Sequence, residues 1–268
     1  MRFWTAAILC ALVLTGSGRS EAQAPPGAAP LSPEVEEALF RRACGLFLPD
    51  RLPAGSDMIP DRAVCGTPVV LSLASNWGRL SKPTQETFAA LFQRPVRQKT
   101  AISPKGRFQI HYDTTGGNAV ALTDADRNGT PDYVDEVAAT FDYIWTLEIE
   151  TLGYHAPPSD GDSYYDIYIL NLATQSVYGF TYPESFQSAI TSSYMEIDNN
   201  YTDSIYQTRG LDGLHVTAAH EFYHAIQFGY YADFDAAWWQ EATATWMEEV
   251  AHPEVDDYLQ YLHYFLCR

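Results

Sequence analysis

Basic residues and long apolar runs are both scarce in this sequence, and each shortage excludes something. Lys and Arg total 16 against 34 Asp and Glu, a formal charge of −18. A field of that sign repels phosphate backbones and anionic bilayers, so nucleic acid is excluded as a partner, and it draws in cations. The one apolar run at the start is Trp4–Leu14, behind Met1-Arg2 and ahead of Ala22-Gln23-Ala24. It is too short to span a bilayer, and the small-x-small triplet has the form of a cleavage site. Residues 1–24 therefore read as a signal peptide, which predicts a secreted, extracellular protein with no stable membrane anchor.

Cysteine is sparse as well, with four in the chain. Cys10 leaves with the signal peptide. Cys44 and Cys65 are expected to form a disulfide closing a loop of about twenty residues, worth roughly 3 kcal/mol. Cys267 then stands unpaired beside the last residue, which predicts a chain cut short at that end. None of the cysteines has zinc-finger spacing, and no internal repeat is present.

Tyrosine, by contrast, is plentiful at 18 residues, and the aromatic content suits a sizeable core in one large domain. Residues 25–106 form an N-terminal region, either a propeptide or a packing subdomain. In it Ser32-Pro33-Glu34 pairs an N-cap with proline at the first helical position, starting a helix to about Ala43. Ser81–Phe92 repeats that signal, with Pro- and Gly-rich turns between the two. Residues 107–268 carry the patterning of an α+β domain. Phe108, Ile110 and Tyr112 alternate with Gln109 and His111 as in a half-buried strand, and Tyr165–Leu170 and Tyr194–Ile197 read as two more. Val134, Val137, Phe141, Ile144 and Ile149 recur at helical spacing until Gly153. Three further helices are expected at 213–228, 236–250 and 255–266.

The most informative run is His220-Glu221-Phe222-Tyr223-His224. Helical residues four apart share a face, so both imidazoles can meet one ion, and zinc accepts nitrogen at a reach these side chains have. Glu221 is offset around the helix, where it suits a general base acting on water. Asp212 is placed to cap this helix and Gly229 to end it, while Leu214, Ala218, Phe222, Ala225 and Ile226 form its apolar side. A catalytic zinc site wants a third protein ligand. Gln227 and Tyr230 exclude the His-x-x-Gly-x-x-His continuation, which leaves the carboxylates of Glu241, Glu248 and Glu249 downstream. Glu241 is favoured, because Ala242 and Ala244 beside it allow the two helices to approach closely.

A second cation site is expected in the loop Asp124–Asp135. Asp124, Asp126, Asn128, Asp132 and Asp135 offer oxygens at positions 1, 3, 5, 9 and 12, Gly129 stands at the sharp turn, and Thr130 offers its carbonyl. Oxygen donors of this kind suit calcium, in a stabilising role; the bland reading is a solvated turn capping the next helix. The other histidines carry weaker signals. His111 is expected to pack in its strand, His155 and His252 to sit at the surface, and His215 to lie off the metal face. The aromatic stretch Tyr230–Trp239 reads as core or cleft wall.

HEFYHAIQFG, followed after sixteen intervening residues beyond His224 by the Glu of WWQEATATWMEE, resembles the gluzincins, the thermolysin-like clan of zinc peptidases. Over roughly 107–266, RFQIHYDTTGGNAV, DRNGTPDYVDEV, YYDIYIL and the HEFYHAIQ block are closer still to a group of uncharacterised secreted bacterial metalloproteases. The resemblance implies a zincin-like domain over 107–268, with a mixed sheet packed on the active-site helix. It also implies zinc on His220, His224 and Glu241, Glu221 as the base, and a protein or peptide substrate cut by an endopeptidase. Two positions depart from the clan. Thr245 stands where an Asp often orients a histidine, and the transition-state donor is unmarked among Tyr230, Tyr231, Tyr258, Tyr261 and His263. The competing expectation is a non-enzymatic, calcium-dependent binding module with an inactive or structural zinc site.

Overall fold

The computed structural model describes residues 29–53, 64–186, 188, 190–231 and 237–260. The expected signal peptide, Cys10, Cys267, Tyr261, His263 and the second half of the helix expected at 255–266 lie outside them. The chain is α+β. Its N-terminal region supplies α1 (Pro33–Phe47), α2 (Thr67–Asn76) and α3 (Lys82–Phe88). Ser32 caps α1 as expected, its hydroxyl accepting the Val35 amide at 3.4 Å. Helix α2 was not anticipated: Gly66 and Pro68, which read as turn residues, are its N-cap and its first turn.

Then come β1 (Lys99–Ile102), β2 (Phe108–Tyr112) and α4 (Asp132–Trp145), which runs on as a π-helical turn over Thr146–Thr151. β3 (Tyr165–Leu170), β4 (Gly179–Pro183), β5 (Ser193–Asp198), α5 (Gly210–Tyr230) and α6 (Ala237–Ala251) complete the order. One sheet of five strands results, ordered β1-β2-β3-β5-β4. Its centre, β2-β3-β5, is parallel, and β1 and β4 run antiparallel at the two edges. Those edges are the strands that the sequence concealed. β1 is mostly exposed and β4 is buried throughout, so neither shows a period of two.

The sheet is covered on both faces. Phe108 and Ile110 of β2, Ile167 and Ile169 of β3, and Met195 and Ile197 of β5 meet α4 and α5 in one core. On the other face Tyr168, Phe180, Tyr182 and Tyr194 pack against Phe47, Val70, Leu73 and Phe88 of the N-terminal helices. Burial on both sides explains why β3 reads as a nearly continuous apolar run. Helix α6 packs along α5 on the first face. The apolar side predicted for α5 is correct: Leu214, Ala218, Phe222, Ala225 and Ile226 are all buried. Gly229 does not end that helix. It lies inside it, where an added Cβ would stand 3.0 Å from Pro158 Cδ, so it serves close packing. No helix among the described residues is long and apolar enough to cross a membrane.

Phe222 is the aromatic centre of this layer, with its ring 5.5 Å from Phe108, 5.7 Å from Trp145 and 5.9 Å from Tyr165. Truncating a fully buried ring leaves a cavity that rigid neighbours fill poorly. Phe222→Ala is expected to cost about 3–5 kcal/mol, read from the midpoint of a urea unfolding curve. A loss under about 1 kcal/mol would mean that the layer collapses around the gap.

Candidate metal centre

Helix α5 brings His220, Glu221 and His224 to its junction with α6 and the edge strand β4, and all three side chains are buried. Such close approach needs Gly179 on β4, because a Cβ there would stand 2.8 Å from Glu221 Cγ and 3.0 Å from Thr217 Cγ2. From α6, Glu241 reaches in with Oε1 3.0 Å from His224 Nε2 and Oε2 3.6 Å from His220 Nε2. The two Nε2 atoms face each other at 3.1 Å. Of the three carboxylates considered, Glu241 is the one at the pair.

The outer nitrogens decide what the inner ones present. His220 Nδ1 lies 2.5 Å from Glu248 Oε1, and His224 Nδ1 lies 2.8 Å from Gln227 Oε1. The Gln227 amide is oriented by its nitrogen, which donates to Gln240 O at 3.0 Å and Thr243 Oγ1 at 2.9 Å. Both partners facing the rings are acceptors, so each Nδ1 carries the proton and each Nε2 turns a lone pair inward. Two lone pairs and a carboxylate converging in a buried space repel one another unless positive charge sits among them. Two nitrogens bound to one tetrahedral zinc stand roughly 3.3 Å apart, close to the spacing seen. The donor set therefore fits zinc.

The pKa directions carry the same message. Burial opposes a charge on His224, yet Glu241 beside it carries the value up to about 10. His220 is likewise raised well above the usual histidine range, against its burial, with Cys65, Glu241 and Glu248 as the causes. Glu241 falls far below the carboxylate range although burial pushes it upward, because His224 and His220 outweigh that effect. Burial lifts Glu248 to about 7 despite its bond to His220.

Glu221 is fully engaged. Its Oε2 accepts from Thr67 Oγ1 at 2.9 Å and from Thr181 Oγ1 at 2.7 Å, and its Oε1 accepts from the Cys65 thiol at 3.3 Å. Cys65 Sγ also lies 3.7 Å from His224 Nε2. Ligand atoms of Cys65, His220, His224 and Glu241 all fall within 4.8 Å of one another. This corrects the expected Cys44–Cys65 disulfide, since both are free thiols. Cys44 is sealed in the core beneath α1, and Cys65 is turned to the histidines instead. A cleft of about 270 Å³ opens beside the centre, lined among others by Tyr178, Val216, Thr245 and Asp257.

The sequence did not place Cys65, Thr67, Tyr178 or Thr181 at the centre, Cys65 having been expected only in a disulfide. The only available signal was the cysteine itself, beside a threonine. Thr245 is not replaced in kind, because Glu248, two turns along α6 from Glu241, takes the role of orienting His220. Of the expected donors, Tyr230 and Tyr231 are half exposed, and neither they nor Tyr258 line the cleft. The described part of the aromatic stretch is not core: Trp238 and Trp239 stand in solvent. His111 packs as expected, stacked on Tyr168 at 4.3 Å and bonded to Asp166 at 2.6 Å. His252 is buried, not superficial, and stacks on His215 at 4.9 Å.

In the acidic loop Asp124, Asp126 and Asp132 gather within 4.8 Å of one another. Gly129 adopts φ +92°, and its amide donates to Asp124 Oδ2 at 3.0 Å. Asn128 differs from expectation: its amide nitrogen, not its oxygen, faces Asp126 at 3.2 Å and Asp135 at 2.9 Å. Thr130 is engaged through its amide, which donates to Asn128 Oδ1 at 2.7 Å.

No family model, curated protein or solved structure matches this chain. The gluzincin resemblance accordingly rests on the motif residues alone.

Glu248 and Gln227 hold the outer nitrogens of the rings without reaching the space between the Nε2 atoms, and loss of such partners typically costs 10–100-fold in the metal affinity of a metal site. Glu248→Gln is expected to weaken zinc binding by roughly that factor, measured by competition with a chromophoric chelator. Unchanged affinity would remove Glu248 from the centre.

Proposed function

We propose that this protein is a secreted zinc-dependent endopeptidase with a zincin-like domain. One observation carries the reading: two imidazole Nε2 atoms and a carboxylate converge with Nδ1 protons turned outward, and a second carboxylate, the buried Glu221, stands beside them without being needed to hold the ion. Secretion draws its support from the N-terminal apolar run and the absence of a membrane-spanning helix among the described residues.

His220, His224 and Glu241 would hold the zinc, which when bound supplies Lewis acidity toward a water and a peptide carbonyl. The remaining steps fall to the chain's own residues. Glu221 takes the proton that the attacking water gives up and returns it to the leaving amine nitrogen. Thr181 anchors one oxygen of that carboxylate at 2.7 Å, which fixes where the proton is received. Glu248 and Gln227 keep both rings in the tautomer that presents Nε2. We also propose that calcium occupies the Asp124–Asp135 loop, where Asp124, Asp126 and Asp132 converge ahead of α4, and stabilises the start of that helix.

One observation favours a second reading. Cys65 supplies a fourth protein donor, and four protein ligands are the mark of a structural zinc site rather than a catalytic one. A structural site has no use for Glu221, which sets the two readings apart.

Glu221→Gln is expected to retain one zinc per chain and to lose casein hydrolysis by a factor on the order of 10³ or more, a residue essential to proton transfer having been removed. Phenanthroline should abolish the wild-type activity. Undiminished hydrolysis by the variant would end the mechanism. For the loop, calcium added to the calcium-depleted, zinc-loaded chain is expected to raise the thermal midpoint of the wild type and to leave Asp124→Asn little changed. A wild-type midpoint indifferent to added calcium would remove the calcium from the loop.

A further inference from the structure

Cys65 comes from a different part of the molecule than the donors it joins. His220, His224 and Glu241 belong to α5 and α6 on one face of the sheet, whereas Cys65 precedes α2, in the region that covers the other face. The segment Val64–Thr67 reaches the centre by running along the outer edge of β4. Val64 bridges Val177 in parallel sense, with Val64 N donating to Ser176 O at 3.1 Å and Tyr178 N donating to Val64 O at 3.0 Å. Gly66 N donates to Gly179 O at 3.0 Å. The approach tolerates no side chain at residue 66, where a Cβ would fall 2.0 Å from the Phe180 ring.

Two functions are blocked by this one segment. An exposed sheet edge is where an extended peptide adds as a further strand, and that edge of β4 is taken. The thiol meanwhile lies within hydrogen-bonding reach of the base and 3.7 Å from a ligand nitrogen, the place that hydrolysis needs for water. Thr67 ties the other oxygen of Glu221 at 2.9 Å, so with the segment seated no oxygen of the base is left free.

We infer that Val64–Thr67 is an intramolecular inhibitor, with the Cys65 sulfur as the removable fourth ligand of the metal and the segment as a plug in the peptide-binding edge. On ligation the thiol proton passes to Glu221, its nearest acceptor, and a sulfur–metal bond forms. Release reverses both changes, and water takes the vacated place. The inference rests on the peptidase reading above and adds its regulation: the seated Val64–Thr67 segment keeps the enzyme latent until that segment is displaced or cleaved, while the helices of the N-terminal region stay packed on the sheet.

Cobalt(II) in place of zinc makes the thiolate visible. The full cobalt-loaded chain is expected to show a sulfur-to-cobalt charge-transfer band, and Cys65→Ser to lose the band at unchanged cobalt stoichiometry. Without any mutation, alkylation of Cys65 by iodoacetamide, located by peptide mass, should be slow in the zinc-loaded chain and at least roughly tenfold faster after phenanthroline, if ligation stabilises the seated thiol by about 1.4 kcal/mol. The zinc-loaded Cys65→Ser chain should cleave casein on the order of tenfold faster than the wild type. Absence of the band, or alkylation indifferent to metal, overturns the inference while a zinc-dependent wild-type activity leaves the peptidase standing. A band and a protected thiol with no hydrolysis by either chain overturn the peptidase reading itself, and the inhibitor with it.

Discussion

Two protons hold this structure's chemistry in place. They sit on the Nδ1 atoms of His220 and His224, fixed by Glu248 Oε1 at 2.5 Å and Gln227 Oε1 at 2.8 Å. With those partners accepting, neutral rings turn their Nε2 lone pairs toward each other across 3.1 Å. Were either outer partner a donor, its ring would turn a proton inward and the converging set would be lost. The cost of such an arrangement is electrostatic, since buried lone pairs and a carboxylate need a cation among them. The tertiary structure then has the task of keeping these groups from moving apart.

That task is shared by two unlike contacts. On one side α6 lies against α5, with Ala244 fully buried at the junction, which sets Glu241 and Glu248 at their distances from the rings. On the other, β4 passes beneath α5 so closely that Gly179 can carry no side chain. Its neighbour Thr181 reaches Glu221 with its hydroxyl and takes the Thr67 hydroxyl on its own amide at 2.8 Å. The parallel centre of the sheet supplies the rigidity. Buried on both faces between α4 and α5 and the N-terminal helices, it leaves the centre little freedom to spread.

Much of this was legible in the residues. The spacing of His220 and His224 needs only one helical turn to become geometry, and Ala244 marks where α6 approaches, whereas Ala242 stays exposed. β2 declared itself by alternation because one of its faces is only half covered. What stayed hidden depends on partners distant in sequence. β4 reads Gly-Phe-Thr-Tyr-Pro, a run without period because both faces are buried, and its Gly and Pro resemble a turn. Glu248, two turns from Glu241 on the same face, reads as either a support to the ligands or a surface residue, since nothing local tells that His220 Nδ1 will meet it. The acidic loop was read as far as its Asp carboxylates, but the side of the Asn128 amide turned toward them is set by those neighbours and not by its own position.

Cys65 is the most instructive error. Counting cysteines in a chain expected to be exported favours pairing, and Cys44 is the available partner. The count ignores where the backbone must go. Cys44 lies on the inner side of α1 and is wholly buried among apolar groups, while Cys65 follows its segment along β4 to the opposite side of the sheet's edge. Once there, it meets the strongest competitor a disulfide can have, a ready set of nitrogen and oxygen donors at zinc spacing. Burial and the carboxylates of Glu221 and Glu241 push its thiol upward, so proximity to the histidines alone does not make it a thiolate. A divalent ion does, by deprotonating the thiol it coordinates. The sulfur's affinity for the centre is therefore conditional on the ion, which is the property that a reversible block requires and a disulfide lacks.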